Sequence, residues 1–117
     1  MDKIDVKKIN VPNVCFSVLS DDDPRDADYA KQRVNRGFDD SETWDLGMTI
    51  MKFAIPRLER FIEIKKEVDG DDDNKKILDA FQLLIRDNGI QLFTVEEELI
   101  VEEGLKFFSD NLLNLWW

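Results

Sequence analysis

The sequence predicts a mainly α-helical fold, a compact bundle of three or four helices behind a short extended N-terminal segment. Three observations predict it. From Trp44 onward, apolar residues recur at steps of three and four, the spacing that lines one face of a helix. The breaks between those runs carry capping residues ahead and glycine behind. A length of 117 residues suits one domain over 1–117, with an extended or irregular part over 1–35 and a helical core over 36–117.

The N-terminal part is rich in β-branched residues, Ile4, Val6, Ile9 and Val11, and breaks at Pro12-Asn13. Val14, Phe16 and Val18 then alternate, which predicts a short strand over Val14 to Leu19. Asp21-Asp22-Asp23-Pro24 is a turn, since Asp favours local turns and Pro restricts the residue before it. Asp26 to Asn35 has the makings of a short helix carrying Tyr29 and Val34 and closed by Gly37.

The clearest element begins at Ser41, a predicted N-cap, with Glu42 and Asp45 placing negative charge where the helix dipole favours it. Trp44, Met48, Met51, Ile55, Leu58 and Ile62 form its seam, broadened by Ala54 and Phe61. Leu46, Ile50 and Phe53 lie off that seam, so the first half reads as apolar nearly all round and central to the fold. Pro56 predicts a kink or restart, because it lacks an N–H and its ring crowds the preceding turn.

An acidic connector, Asp69-Gly70-Asp71-Asp72-Asp73-Asn74, leads to a second cap. Ile77, Leu78, Phe81, Leu84 and Ile85 share the next helical face, with Lys75, Asp79, Gln82 and Arg86 opposite and Asn88-Gly89 as the stop. Ile90 to Val95 reads equally as a short strand or a lead-in. Thr94 and Glu97 have capping-box spacing and start a last helix near Val95. Its seam is Val101, Leu105, Phe108, Leu112 and Leu115, and Gly104 within it marks a break or the close approach of another backbone. Core packing is the expectation for Trp116 and for Trp44, and a self-association or partner contact for Trp117.

Composition narrows the functional classes. Sixteen Lys and Arg against 26 Asp and Glu give a net charge of −10. That leaves few cations for tracking a phosphate backbone, so direct nucleic-acid binding is not expected. An anionic membrane surface is disfavoured for the same reason. No membrane span is expected either, because the apolar-rich stretch from Leu46 to Ile64 is interrupted by Lys52, Pro56, Arg57, Glu59 and Arg60. Met1-Asp2-Lys3 is followed by no signal-peptide core, and the single cysteine, Cys15, supports no disulfide framework. A cytosolic protein is the expectation.

Histidine is absent, which leaves Cys15 without a partner base. Phosphate-loop, dinucleotide, zinc-protease and nucleophile-elbow motifs are absent as well. Asp71-x-Asp73 fails as a calcium loop, since counting from Asp69 puts Asn74 where glycine is needed and Ala80 where a bidentate Glu is needed. A magnesium-dependent helical nucleotide hydrolase would draw on Glu42 with Asp45 and Glu98 with Glu102, whose spacing also suits helix starts and wet faces. No catalytic residue, metal ligand or cofactor is assigned.

Arg36-Gly37-Phe38, the acidic start at Asp39 to Glu42, Trp44 and the later Ile55-Pro56-Arg57-Leu58 form a pattern, joined by Glu103-Gly104-Leu105 and Leu115-Trp116 near the end. This pattern resembles small uncharacterised bacteriophage proteins over roughly Arg36 to Trp117. Where those proteins often carry Asp, this chain has Gly47. The resemblance implies a virus-encoded protein of the host bacterial cytoplasm and carries over no catalytic residue.

The leading functional expectation is a non-enzymatic interaction protein that binds a host or phage protein with a basic surface, such as a nucleic-acid-binding or defence factor. Candidate binding residues are Arg36, Trp44, Asp45, Lys52, Arg57 and Trp117. A ligand-binding or sequestering module using Arg36, Lys52, Arg57 or Arg60 against a phosphate, and the magnesium-dependent nucleotide hydrolase, are the alternatives from other classes. A homo-oligomer is compatible with all three.

Overall fold

In the computed structural model, which describes residues 3–70, 73–89 and 92–117, the protein is mainly helical. Four α-helices occur among the described residues: α1 Asp26–Arg36, α2 Leu46–Asp69, α3 Lys75–Ile85 and α4 Val95–Asn111. Short 3-10 turns lie at Val6–Ile9, Asp40–Thr43 and Leu112–Asn114. None of the helices among the described residues is long and apolar enough to cross a membrane. The chain divides into two compact units, Met1–Phe53 and Ala54–Trp117, and the division falls inside α2 shortly before Pro56.

In the first unit the N-terminal third holds a short 3-10 turn and α1, joined by chain without regular structure. The Val6–Ile9 turn is capped by Asp5, which accepts from Lys7 N–H at 3.0 Å. The α1 helix occupies the span from Asp26 and closes on Gly37, whose left-handed backbone (φ 86°) lets its N–H reach Arg33 O at 2.8 Å. Val14 to Leu19 forms no strand among the described residues: Val14 closes a turn and 15–19 have no regular secondary structure. Side chains take the place of a partner strand: Phe16 N–H donates to Glu42 Oε1 at 3.1 Å and Val18 N–H to Ser41 Oγ at 3.1 Å.

The predicted helix start at Ser41 resolves into two caps. Asp39 closes a capping box over the Asp40–Thr43 turn with Glu42 as the reciprocal partner. Asp45 then heads α2 and accepts from Met48 N–H at 3.1 Å. Ser41 itself is buried between these steps. Along α2, Met48 and Leu58 are buried and Met51, Ile55 and Ile62 half-buried, so the seam is as expected from Met48 onward, while Trp44 ahead of it is exposed. The helix continues through Pro56 without a restart. Leu46, Ile50 and Phe53 are not central; each stays about half exposed.

In the second unit α3 packs on α4. Ile77, Leu78, Ala80 and Phe81 are buried, and the Phe81 and Phe108 rings meet edge to face at 5.4 Å. Gly104 is buried because α3 passes directly over it: a Cβ there would overlap the Lys76 carbonyl oxygen and Ala80 Cβ. Close approach, rather than a break, is the reason for this glycine. Thr94 and Glu97 form the expected capping box, with Glu97 N–H donating to Thr94 Oγ1 at 3.1 Å and Thr94 N–H to Glu97 Oε1 at 3.0 Å.

Two details differ from expectation. Asn74 stands at the start of α3, but its side chain makes no capping hydrogen bond. The α3 helix stops at Ile85, ahead of Asn88-Gly89, and Asp87, Asn88 and Gly89 all take positive φ. The acidic pair Asp71-Asp72 of the connector, and Ile90 of the lead-in before Val95, lie outside the described residues.

Candidate functional site

The interior of the first unit is organised around a charge. Arg33, on the buried face of α1, is 1% exposed and holds three carboxylates. Its Nε donates to Asp5 Oδ1 at 2.8 Å, its Nη1 to Asp39 Oδ2 at 2.6 Å and its Nη2 to Asp26 Oδ1 at 3.1 Å. Its Nη2 also donates to Asp5 Oδ2 at 3.1 Å, which makes the Asp5 contact bidentate.

Each carboxylate is further satisfied. Asp39 also accepts from Ser17 Oγ at 2.6 Å and from the Ser41 hydroxyl and N–H. The hydrogen bond from Arg33 holds the Asp5 carboxyl below its usual range. Burial alone would raise the Asp39 carboxyl; hydrogen bonds from Ser17, Ser41 and Arg33 outweigh it and keep the group low. Arg33 is shifted up in return, Asp5 being the main cause. No buried side-chain polar atom among the described residues lacks a partner. The hub is therefore closed structural wiring that ties the N-terminal chain to α1 and to the Asp39–Glu42 turn.

The turn that Asp39 anchors also shapes the one place in this unit where predicted binding residues meet. Trp44, Asp45 and Lys52 line a cleft of about 270 Å³ together with Phe16, Val18, Ser41, Met48 and Thr49. Thr49 Oγ1 donates to Glu42 O at 2.7 Å and so fixes one wall to the capping turn. Trp44 is not core. It is 52% exposed, with the Arg25 guanidinium 5.0 Å over its ring and Tyr29 tilted against it at 6.2 Å.

The other predicted residues lie elsewhere. Arg36 is engaged structurally: it donates to Asp40 Oδ1 at 2.6 Å and to Phe38 O at 3.1 Å, and stacks on the Phe38 ring at 4.4 Å. Arg57 is exposed on α2. Trp117 is 61% exposed, and Trp116, expected in the core, is 68% exposed. Leu115 ahead of them is half-buried, so the chain's apolar anchoring ends there.

The carboxylates considered for metal chemistry have other partners or none. Glu42 and Asp45 serve as caps, and Glu98 and Glu102 face solvent. Among the described residues no group of three or more Asp, Glu or Cys side chains is placed to hold a metal ion.

The second unit offers a surface instead of a cleft. Along α4 and its tail, Val95, Leu99, Leu112 and Leu113 are more than half exposed, as are both terminal tryptophans. Glu96, Glu98, Glu102, Glu103 and Asp110 stand exposed among them. Lys106 is the one exposed cation within α4, and it pairs with Asp110 at 2.9 Å. Arg86 binds Glu97 at 2.6 Å, and this contact leads in holding the Glu97 carboxyl down to about 2.

Sequence reasoning missed Arg33. A single arginine in a polar helix carries no signal of burial, and its partners at Asp5 and Asp39 become visible as partners only when the chain is folded. No family model matches the chain, and neither a curated protein nor a solved structure matches it.

Proposed function

We propose that this protein is a non-enzymatic interaction module that binds a host or phage protein with a basic surface, through α4 and the C-terminal segment. The observation that carries this reading is the exposure of Val95, Leu99, Leu112, Leu113, Trp116 and Trp117 along one helix and its tail. Large apolar side chains kept in water are costly, and their cost is recovered when a partner covers them. Leu and Trp there supply contact area, while the surrounding glutamates supply orientation and reject acidic partners.

A net charge of −10 steers such a surface toward basic proteins, including those that hold nucleic acid or act in defence. The setting of this binding is the cytoplasm of an infected bacterium, as the resemblance to small bacteriophage proteins implies.

The test is capture from infected bacterial extract, analysed by native mass spectrometry, with wild type beside Leu99→Ser/Trp117→Ser. A stoichiometric basic protein captured by wild type, lost with the double variant and released by salt, is the expected result. A bare homo-oligomer, or capture unchanged in the double variant, overturns the reading.

A further inference from the structure

We propose that the cleft of the first unit is a binding site for a small aromatic carboxylate, with Lys52 as the anion contact. This is independent of the interaction surface on α4. The cleft has an apolar body, formed by Phe16, Val18, Trp44 and Met48, and few polar groups free to act. Ser41 Oγ accepts from Val18 N–H at 3.1 Å and donates to Asp39, while Thr49 Oγ1 donates to Glu42 O. Both hydroxyls therefore have their protons committed.

Lys52 differs. It is half-buried in the wall, and its ammonium has neither an ion pair nor a hydrogen bond to any described residue. A lysine stem lying over apolar surface is ordinary, but a lysine that lines an apolar cleft and pairs with no carboxylate leaves a cation available to an anion. Asp45 lines the same cleft, seven residues and about 10 Å earlier along α2. Its Oδ1 accepts from Met48 N–H at 3.1 Å, so its charge is partly offset by the helix start.

The ligand class follows from shape and charge. The volume of about 270 Å³ lies just under the range of ~300–1,000 Å³ typical of sites for drug-sized molecules, which suits a smaller compound. Aromatic and thioether walls favour a flat apolar ring system. One free cation favours a single negative charge over a polyphosphate, which would meet Asp45 with nothing to balance it. The walls are braced: Phe16 packs edge to face on Phe53 at 6.2 Å, and Arg25 holds Trp44 from outside the cleft.

The probe is 1-naphthoate, titrated into the full chain and followed by amide chemical shifts, with uncharged 1-naphthalenemethanol as its control. Shifts should concentrate at Phe16 to Val18 and Trp44 to Lys52, with naphthoate bound about tenfold tighter than the alcohol. Lys52→Met, which keeps the stem, should remove that preference and leave alcohol binding unchanged. Asp45→Asn, which keeps the cap, should strengthen naphthoate binding. Equal affinity for acid and alcohol overturns the proposal. So does a preference that survives Lys52→Met in a folded variant, or the absence of cleft shifts at low millimolar naphthoate.

Discussion

The two units reach stability by opposite means. The first, Met1–Phe53, has a short supply of apolar interior, with Leu19 and Met48 its buried hydrophobic residues among those described. It compensates with a buried polar hub in which Arg33, Asp5, Asp39, Ser41 and Glu42 are all less than a tenth exposed. The second, Ala54–Trp117, is organised by apolar contact, with Ile77, Leu78, Ala80 and Phe81 buried, Ala80 meeting α4 at Gly104 and Phe81 at Phe108. Polar hubs hold irregular chain because directional bonds can satisfy single backbone groups, as Glu42 does for Phe16. Apolar helix pairs need no such wiring but require backbones that fit.

The contrast is broken most sharply at Arg33. Arg33→Leu leaves Asp5 and Asp39 buried without their cation, and a loss of about 3–5 kcal/mol is expected. Urea denaturation measures the total. Hydrogen exchange locates it, with α1 amides expected to lose protection before those of α3 and α4. Equal loss in both regions would mean that the two interiors are not energetically separable.

Gly104→Ala tests the apolar side. The added Cβ meets the Lys76 carbonyl oxygen, so α3 and α4 must separate, at about 1–3 kcal/mol. Here the protection of α3 and α4 should fall first. A variant as stable as wild type would show that the helix pair is not closely seated at this point.

Acid should act most strongly on the first unit, whose hub pairs are buried, whereas the Arg86–Glu97 pair of the second unit is partly exposed and screened by solvent. Asp5 and Asp39 have carboxyls lowered below their ordinary value near 3.8. Groups whose folded pKa is depressed stabilise fully above the unfolded value and lose that contribution as pH falls through the folded one. The melting temperature should thus be level from neutral pH to about 5 and drop below about 4, with α1 signals leading. In Arg33→Leu this acid loss should shrink, since the main cause of the Asp5 shift is gone.

Smaller effects are expected at the rim. Thr94→Ala removes the acceptor for Glu97 N–H and should cost about 1 kcal/mol by thermal melt, confined to α4. Leu99→Ser, exposed, should alter stability by no more than about 0.5 kcal/mol while weakening partner capture. A large stability loss there would mark Leu99 as core and remove it from the interaction surface.

Helical character, the α3 face, the Thr94–Glu97 cap and the special place of Gly104 were all legible, because periodicity and capping are local and repeat at fixed offsets. Trp44, Asp45 and Lys52 meet in one cleft because they lie at and just beyond the start of α2, a placement that helical spacing anticipates without assigning them a role. The missing strand at Val14 to Leu19 was not legible. Alternation reports that a chain is extended, whereas a sheet needs a partner, and here side chains of Ser41 and Glu42 answered the backbone instead.

Burial of Trp44 and Trp116 was misread for a related reason. A large apolar side chain is a request for cover, and whether Trp44 or Trp116 receives it depends on what the rest of the chain brings alongside. Composition and periodicity thus suffice to settle that this chain is acidic and helical, and where most of its helices begin and end. The Arg33 hub, the cleft beside Lys52 and the uncovered face of α4 required the fold, because each depends on residues far apart in sequence meeting, or failing to meet, in space.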